Sequence, residues 1–409
     1  MPSSITIPPK ELTPYKIAVP HEEIHALKQK LALTTLPNEV EGAGRDYGVP
    51  LEDIGRLLTR WKFDYDWAEH EKKLNEELPQ FQTKIEVGGF GTLNIHFVHK
   101  QSKVDGAIPL LFVHGWPGGF FEIRKILPLL TEAKPDQPSF HVVALSLPGF
   151  GFSEAPKKIG FGTEQYAEVA NKLMLALGYE EYVTQGGDLG YAITRRIAST
   201  YGKEHSKAWH TNWQEAPEGG PPCPYKSPLT YLRYLFTPYT AAERAGLERT
   251  EWFKKQESGY FTQQSTRPIT LGYSLADSPV GLLAWIYEKL VNWTDGYKWD
   301  DDEVLTWVSL YWFSTAGPAA SINIYYERAH EKGTYSAPTI PQGVSYFPKE
   351  LVVLPRSWLQ TTHLAFENHH EVGGHFAAYE EPELLASDLR KMFGKTGPVY
   401  GIVQGHSGY

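Results

Sequence analysis

Tyr182-Val183-Thr184-Gln185-Gly186-Gly187-Asp188-Leu189-Gly190 decides the reading of this chain. A β-prone run ends in glycines, one carboxylate follows, and another glycine leads into a helix-forming segment. Small neighbours let a chain turn sharply between a strand and a helix, and the turn lifts one side chain above the strand end. Serine is the usual occupant of such an elbow, and here it is Asp188. A carboxylate is a poor substitute for serine in peptide or ester cleavage. It can instead open a strained or activated carbon centre, forming an alkyl ester that water then cleaves.

The flanking pattern predicts a parallel sheet. Leu110-Leu111-Phe112-Val113 reads as a buried strand running into His114-Gly115-Trp116-Pro117-Gly118-Gly119. A second strand, 142–147, runs into Pro148-Gly149-Phe150-Gly151-Phe152-Ser153. The apolar stripe Tyr166, Val169, Ala170, Leu173, Met174, Leu177 predicts a helix capped by Thr163 and stopped at Gly178. Another helix is expected from Leu189 through Ala198. Strands alternating with helices imply a sheet covered on both faces.

Four segments are expected. Residues 1–82 form a helical leader with apolar positions such as Ile24, Leu27, Leu31 and Ile54, Leu57, Leu58, Trp61, a face that must pack on the rest of the protein. Residues 83–213 open the α/β core with a hairpin around Gly88-Gly89, and residues 339–409 complete it. Residues 214–338 break the alternation with an opening at Gly219-Gly220-Pro221-Pro222 and then helical, aromatic-rich segments, and read as a lid.

Bulk properties narrow the function. The 409 residues are 41% hydrophobic and 21% charged, which suits an ordinary globular protein with a sizeable core. A net charge of −9 with no basic block argues against nucleic acid as a partner. Cys223 is the only cysteine, so no disulfide forms within the chain. Residues 1–17 carry neither a signal-peptide nor an anchor pattern, and no run of about 18 apolar residues occurs, so a soluble, cytoplasmic protein is expected.

In a parallel sheet, ligands bind where the strands end. Asp188 follows one strand, Glu350 follows Val344-Ser345-Tyr346-Phe347, and Gly373-Gly374-His375 follows the last strand. Nucleophile, acid, histidine is the chain order of α/β-hydrolases. His114 is expected to hold its glycine loop, and His369 and His370 to be solvated or capping. Asp300-Asp301-Asp302-Glu303 is expected to cap a helix rather than bind metal, and Glu380 and Glu381 to sit at a helix N-terminus.

Together, His114-Gly115-Trp116-Pro117, Gly187-Asp188-Leu189-Gly190, Phe347-Pro348-Lys349-Glu350 and Gly373-Gly374-His375-Phe376-Ala377-Ala378 resemble the α/β-hydrolase-fold epoxide hydrolases of the microsomal and fungal type. The resemblance runs from about residue 20 to the C-terminus and includes the helical leader. It implies an α/β-hydrolase fold and conversion of an epoxide to a vicinal diol. Asp188 would be the nucleophile, and His375, oriented by Glu350, would activate water. Backbone N–H groups of Trp116 and Leu189 would form the oxyanion hole.

It also implies two lid tyrosines acting as acids. Tyr260 precedes Thr266-Arg267-Pro268, and Tyr325 lies in Ile324-Tyr325-Tyr326-Glu327, with adjacent Tyr326 as the alternative. No metal or organic cofactor is implied, the partner is an apolar small-molecule epoxide, and the fungal members suggest a homodimer. A haloalkane dehalogenase would commonly place tryptophan after the nucleophile, where Leu189 stands. Asp188 rules against a serine esterase, and the complete set of residues against a binding protein on a retired scaffold.

Overall fold

The computed structural model describes residues 12–216, 220–332, 336–359 and 363–409. Residues 1–11 of the polar N-terminal stretch and Gly219 of the Pro/Gly opening lie outside the described residues. The chain begins with β1 (Thr13–Tyr15), α1 (His21–Ala32), α2 (Leu51–Phe63) and α3 (Trp67–Glu77). The hairpin β2 (Gln80–Val87) and β3 (Gly91–Lys100) follows, then β4 (Ile108–Val113), α4 (Ile126–Thr131), β5 (Phe140–Leu145) and α5 (Thr163–Ala176). Next come β6 (Tyr182–Gly186), α6 (Leu189–Thr200) and β7 (Ser206–Thr211).

Seven helices then intervene before the next strand: α7 (Pro228–Phe236), α8 (Ala241–Trp252), α9 (Gly259–Thr266), α10 (Pro268–Asp277), α11 (Pro279–Asn292), α12 (Asp301–Trp312) and α13 (Asn323–Ala329). The chain returns to the sheet with β8 (Gln342–Tyr346) and β9 (Leu364–His369), and ends with α14 (Ala377–Glu380) and α15 (Pro382–Phe393).

The strands form one nine-stranded sheet in the order β1-β2-β3-β5-β4-β6-β7-β8-β9. Pairing is antiparallel through β3·β5 and parallel from β5 to β9. β4 lies between β5 and β6, so the direction of winding reverses there. Such a reversal leaves a crevice at the carboxyl ends of the strands, between helices that leave in opposite directions. The turn after β4 and the elbow after β6 both open into it. Every residue of β4 and β6 is buried, as a parallel strand covered on both sides requires.

Four local expectations need correction. The leader is not purely helical, because Thr13–Tyr15 pairs antiparallel with β2 and extends the sheet. Thr163 is the first residue of α5 rather than its cap, and its hydroxyl and N–H are both taken by Glu331 (2.9 and 2.6 Å). His370 is neither solvated nor a cap. Its Nε2 meets Asp388 Oδ2 at 2.7 Å, with the His370 side chain 7% and the Asp388 side chain 0% exposed. Glu380 closes α14 instead of standing at the N-terminus of α15, and its carboxylate accepts from Asp295 N–H (2.8 Å) and Phe376 N–H (3.1 Å).

As expected, Asp300 caps α12 by accepting from Asp302 N–H at 2.9 Å. The leader packs on α11 and α12, where Arg60 forms a paired bond to Asp302 (2.9 Å each) and the Tyr65 hydroxyl meets Thr306 Oγ1 at 3.1 Å. No single helix among the described residues is long and apolar enough to cross a membrane. α10 and α11 reach that composition only as a pair bent by 115°.

Asp388 on α15 ties down the far side of the sheet. Its carboxylate accepts from Ser345 Oγ (2.5 Å), Asn368 Nδ2 (2.7 Å) and His370 Nε2 (2.7 Å). Burial pushes this carboxyl up, but the three hydrogen bonds outweigh it and hold the group below the usual range. A depressed carboxylate stabilises the fold above its unfolded pKa, and that contribution is lost as pH falls through the folded value. Asp388→Ala should therefore cost about 2–4 kcal/mol at neutral pH, because it strands three buried partners. Urea unfolding at pH 7 should show this loss, and the gap to the parent protein should shrink on acidification below about pH 4.

Candidate active site

Asp188 sits at the strand-to-helix turn with φ 50° and ψ −123°. Left-handed φ is uncommon outside glycine and costs about 1–3 kcal/mol. The turn closes only because its neighbours lack side chains. A Cβ on Gly190 would stand 2.0 Å from the Val113 carbonyl oxygen, and one on Gly115 would stand 2.6 Å from Asp188 Oδ1. The carboxylate lies at the N-terminus of α6, where exposed N–H groups favour negative charge.

The two carboxylate oxygens face different partners. Oδ1 accepts from Trp116 N–H at 2.9 Å. Oδ2 faces His375 Nε2 at 3.9 Å. The Leu189 N–H opens α6 directly behind the carboxylate but makes no hydrogen bond to it among the described residues. His114 fixes the turn that carries Trp116, its Nδ1–H donating to Gly115 O (2.9 Å) while Nε2 accepts from Leu147 N–H (3.1 Å). Burial pushes this imidazole down to about 4, so it is neutral. The Trp116–Pro117 peptide bond is cis.

His375 Nδ1 meets Glu350 Oε1 at 2.5 Å, which points Nε2 towards Asp188. Glu350 is 2% exposed, and its Oε1 also accepts from Leu351 N–H at 2.7 Å. The imidazole is held edge-on by Trp293 (5.1 Å) and Trp213 (5.7 Å). Burial alone would pull its pKa down. The charge and hydrogen bond of Glu350, then the charges of Asp188 and Glu122, outweigh burial and push it up to about 9. A cavity of about 20 Å³ borders Asp188, His375, Gln185, Asn212 and Glu122, which is room for one water molecule.

Tyr260 on α9 and Tyr325 on α13 close the site from above. Tyr260 stacks on the Trp116 indole (5.2 Å, 12°), and Tyr325 stands edge-on to both rings (5.7 and 5.8 Å). Burial first, and then negative charge that includes Asp188, pushes both phenols well above their ordinary value, so both keep their protons. The Tyr325 hydroxyl is buried beside that of Tyr260, and among the described residues it has no other hydrogen-bond partner. Tyr326 faces away, stacked on His330 at 4.1 Å and lining an outer groove with Thr266 and Ile269. Of the two adjacent tyrosines, Tyr325 is the one beside Asp188.

Asp188, Trp116, Glu350, His375, Tyr260 and Tyr325 thus converge from six separate stretches of chain. Sequence reasoning missed Trp293, whose ring touches both Tyr260 (5.0 Å) and His375. It also missed Glu122, a buried acid in the run Gly119-Phe120-Phe121-Glu122-Ile123. One carboxylate in an otherwise apolar stretch was the available signal.

The comparisons agree with this architecture. Residues 12–123 match the family described as epoxide hydrolase N terminus, and residues 108–212 match the alpha/beta hydrolase fold. A putative epoxide hydrolase of Stigmatella aurantiaca is 38% identical over 93% of this chain and 84% of its own length. Epoxide hydrolase 1 of Sus scrofa is 37% identical over 94% and 89%. Among solved structures, Aspergillus niger epoxide hydrolase is 34% identical with a TM-score of 0.79, covering 93% of this chain and 95% of that one. The juvenile hormone epoxide hydrolase of the silkworm Bombyx mori is 31% identical with a TM-score of 0.81, covering 93% of each chain. The chain belongs to the epoxide hydrolases of the α/β-hydrolase fold.

Proposed function

We propose that this enzyme hydrolyses an apolar epoxide to a vicinal diol in two steps, through an ester on Asp188. The observation that carries the reading is the split environment of that carboxylate, with one oxygen on the Trp116 N–H, the other facing His375, and two protonated phenols near enough to respond to its charge. The helices between β7 and β8 serve as the lid that supplies those phenols and keeps out water.

In the first step Asp188 Oδ2 attacks an oxirane carbon and the carbon–oxygen bond opens. The departing alkoxide is costly in a dry site and takes a proton from Tyr260 or Tyr325. A phenol raised well above its ordinary pKa holds its proton through substrate binding, yet yields it to the more basic alkoxide.

Alkylation also changes His375. Esterified Asp188 is neutral, so one of the charges that kept the imidazole protonated is gone. The imidazole falls towards its ordinary value, gives its proton to the phenolate left by ring opening, and becomes a base just as a base is needed. It takes a proton from water, which attacks the ester carbon, while Glu350 stabilises the imidazolium. Negative charge gathers on Oδ1, where Trp116 N–H already lies and Leu189 N–H adds a second donor. Collapse releases the diol and restores the carboxylate.

His375→Gln should permit one alkylation and then stall. Intact-protein mass spectrometry after styrene oxide should show a single adduct on Asp188, and a chain that stays unmodified would remove the ester from the scheme. Tyr260→Phe should slow single-turnover alkylation by about 10²-fold or more, the usual contribution of a positioned general acid, without altering the unfolding midpoint. Asp188→Asn mimics the charge of the ester, so the His375 titration followed by nitrogen-15 NMR should drop from about 9 towards its ordinary range. An unmoved midpoint would mean that the aspartate charge does not set the protonation of the base.

A further inference from the structure

The turn that presents the Trp116 N–H has little backbone support of its own, since its one internal hydrogen bond runs from Gly118 N–H to Gly115 O at 3.2 Å. Buried side chains take up three further peptide groups. Trp307 Nε1–H donates to Pro117 O and the Tyr311 hydroxyl donates to Gly118 O, each at 2.6 Å. Both come from α12. On the opposite side, Glu122 Oε1 accepts Gly119 N–H at 2.9 Å.

Gly118 is bare for this reason, because a Cβ there would lie 1.5 Å from Glu122 Oε1. Glu122 is 8% exposed and borders the same small cavity as Asp188 and His375, although the two-step scheme gives it no chemistry. Burying a carboxyl group beside an active site is costly unless it has a partner, and the partner here is the turn.

We propose that Glu122 and Tyr311 are positioning residues for the hydrolysis half-reaction, fixing the turn so that the Trp116 N–H stands where negative charge gathers on Asp188. The inference rests on the two-step reading above. The two steps need this donor differently. During alkylation the carboxylate loses charge, so a displaced donor costs little. During hydrolysis the same oxygen gains charge, and losing one such donor costs about 10²–10³-fold in comparable sites. A misplacement of about 1 Å has effects on the order of 10²-fold.

The test is rapid-quench mass spectrometry with styrene oxide, which gives the rates of ester formation and ester loss separately for the full chain. Rates are compared where each variant's pH profile levels off, because the Glu122 charge also bears on His375. Glu122→Ala should slow ester loss by about 10- to 100-fold and Tyr311→Phe by about tenfold, with formation changed less than about threefold.

Glu122→Gln keeps an acceptor for Gly119 N–H and should recover most of the loss. Tyr311→Phe keeps its ring packing and carries the test if Glu122→Ala does not fold. Unchanged ester loss in the variants, equal slowing of both steps, or a Gln variant no better than Ala would overturn the assignment. A parent protein that never forms the ester would sink the two-step reading, and this inference with it.

Discussion

A carboxylate held in left-handed backbone at the end of a buried strand is the constraint on which the rest of this structure depends. Asp188 at φ 50° is strained, and its turn closes only against glycines at 115 and 190. The strain persists because the surroundings leave no alternative. β6 is buried along its whole length, α6 begins at once, and the neighbouring turn after β4 packs against the aspartate. The reversal of winding at β4 brings those two loops side by side. The sheet topology, the choice of glycine and the orientation of the Asp188 carboxylate are therefore one requirement seen at three scales.

Charge supplies the second level of organisation. Asp188, Glu350 and Glu122 all raise the pKa of one imidazole against the burial that lowers it. The same chain contains another buried histidine–carboxylate pair, His370 and Asp388, at 2.7 Å. That pair is saturated, because Asp388 also accepts from Ser345 and Asn368. Among the described residues, the one ion pair of the His370 imidazole is with Asp388. The His375–Glu350 pair differs in having its free nitrogen aimed at Asp188. Histidine paired with an acid is thus common to a structural clamp and to the proposed base, and the group facing the other ring nitrogen separates them.

Much of this was legible from residues alone. The switch from helical to two-residue periodicity near Thr83 marks the real change from leader helices to sheet, although the hairpin starts at Gln80. The elbow was readable because its glycines answer a local steric demand. Glu350 and His375 were readable because they follow strands, and strand ends fix position. What was not legible depends on contacts across the chain. β1 is three residues long and has no pattern of its own, since β2 selects it. Thr163 looked like a cap because no sequence pattern foretells Glu331 reaching its N–H and hydroxyl. Tyr325 and Tyr326 are adjacent in sequence but about 100° apart around a helix, so only the packing of α13 decides which one faces Asp188. Glu122 escaped notice because its partner is a backbone N–H, which leaves no trace in side-chain identity.

The leader finds its physical reason in α12. Residues 304–311 of that helix are buried all round, so it has no polar stripe to turn towards water. One flank meets the leader through Tyr65, Arg60 and their partners Thr306 and Asp302. Another flank presents Trp307 and Tyr311 to the turn that carries Trp116. Without the leader, the apolar faces of α11 and α12 would be open to solvent, and a helix that moved to cover them would drag two hydrogen bonds of the Trp116 turn with it. The leader is therefore connected to the candidate site by a continuous path of packed groups, through α12 to the Trp116 N–H that contacts Asp188.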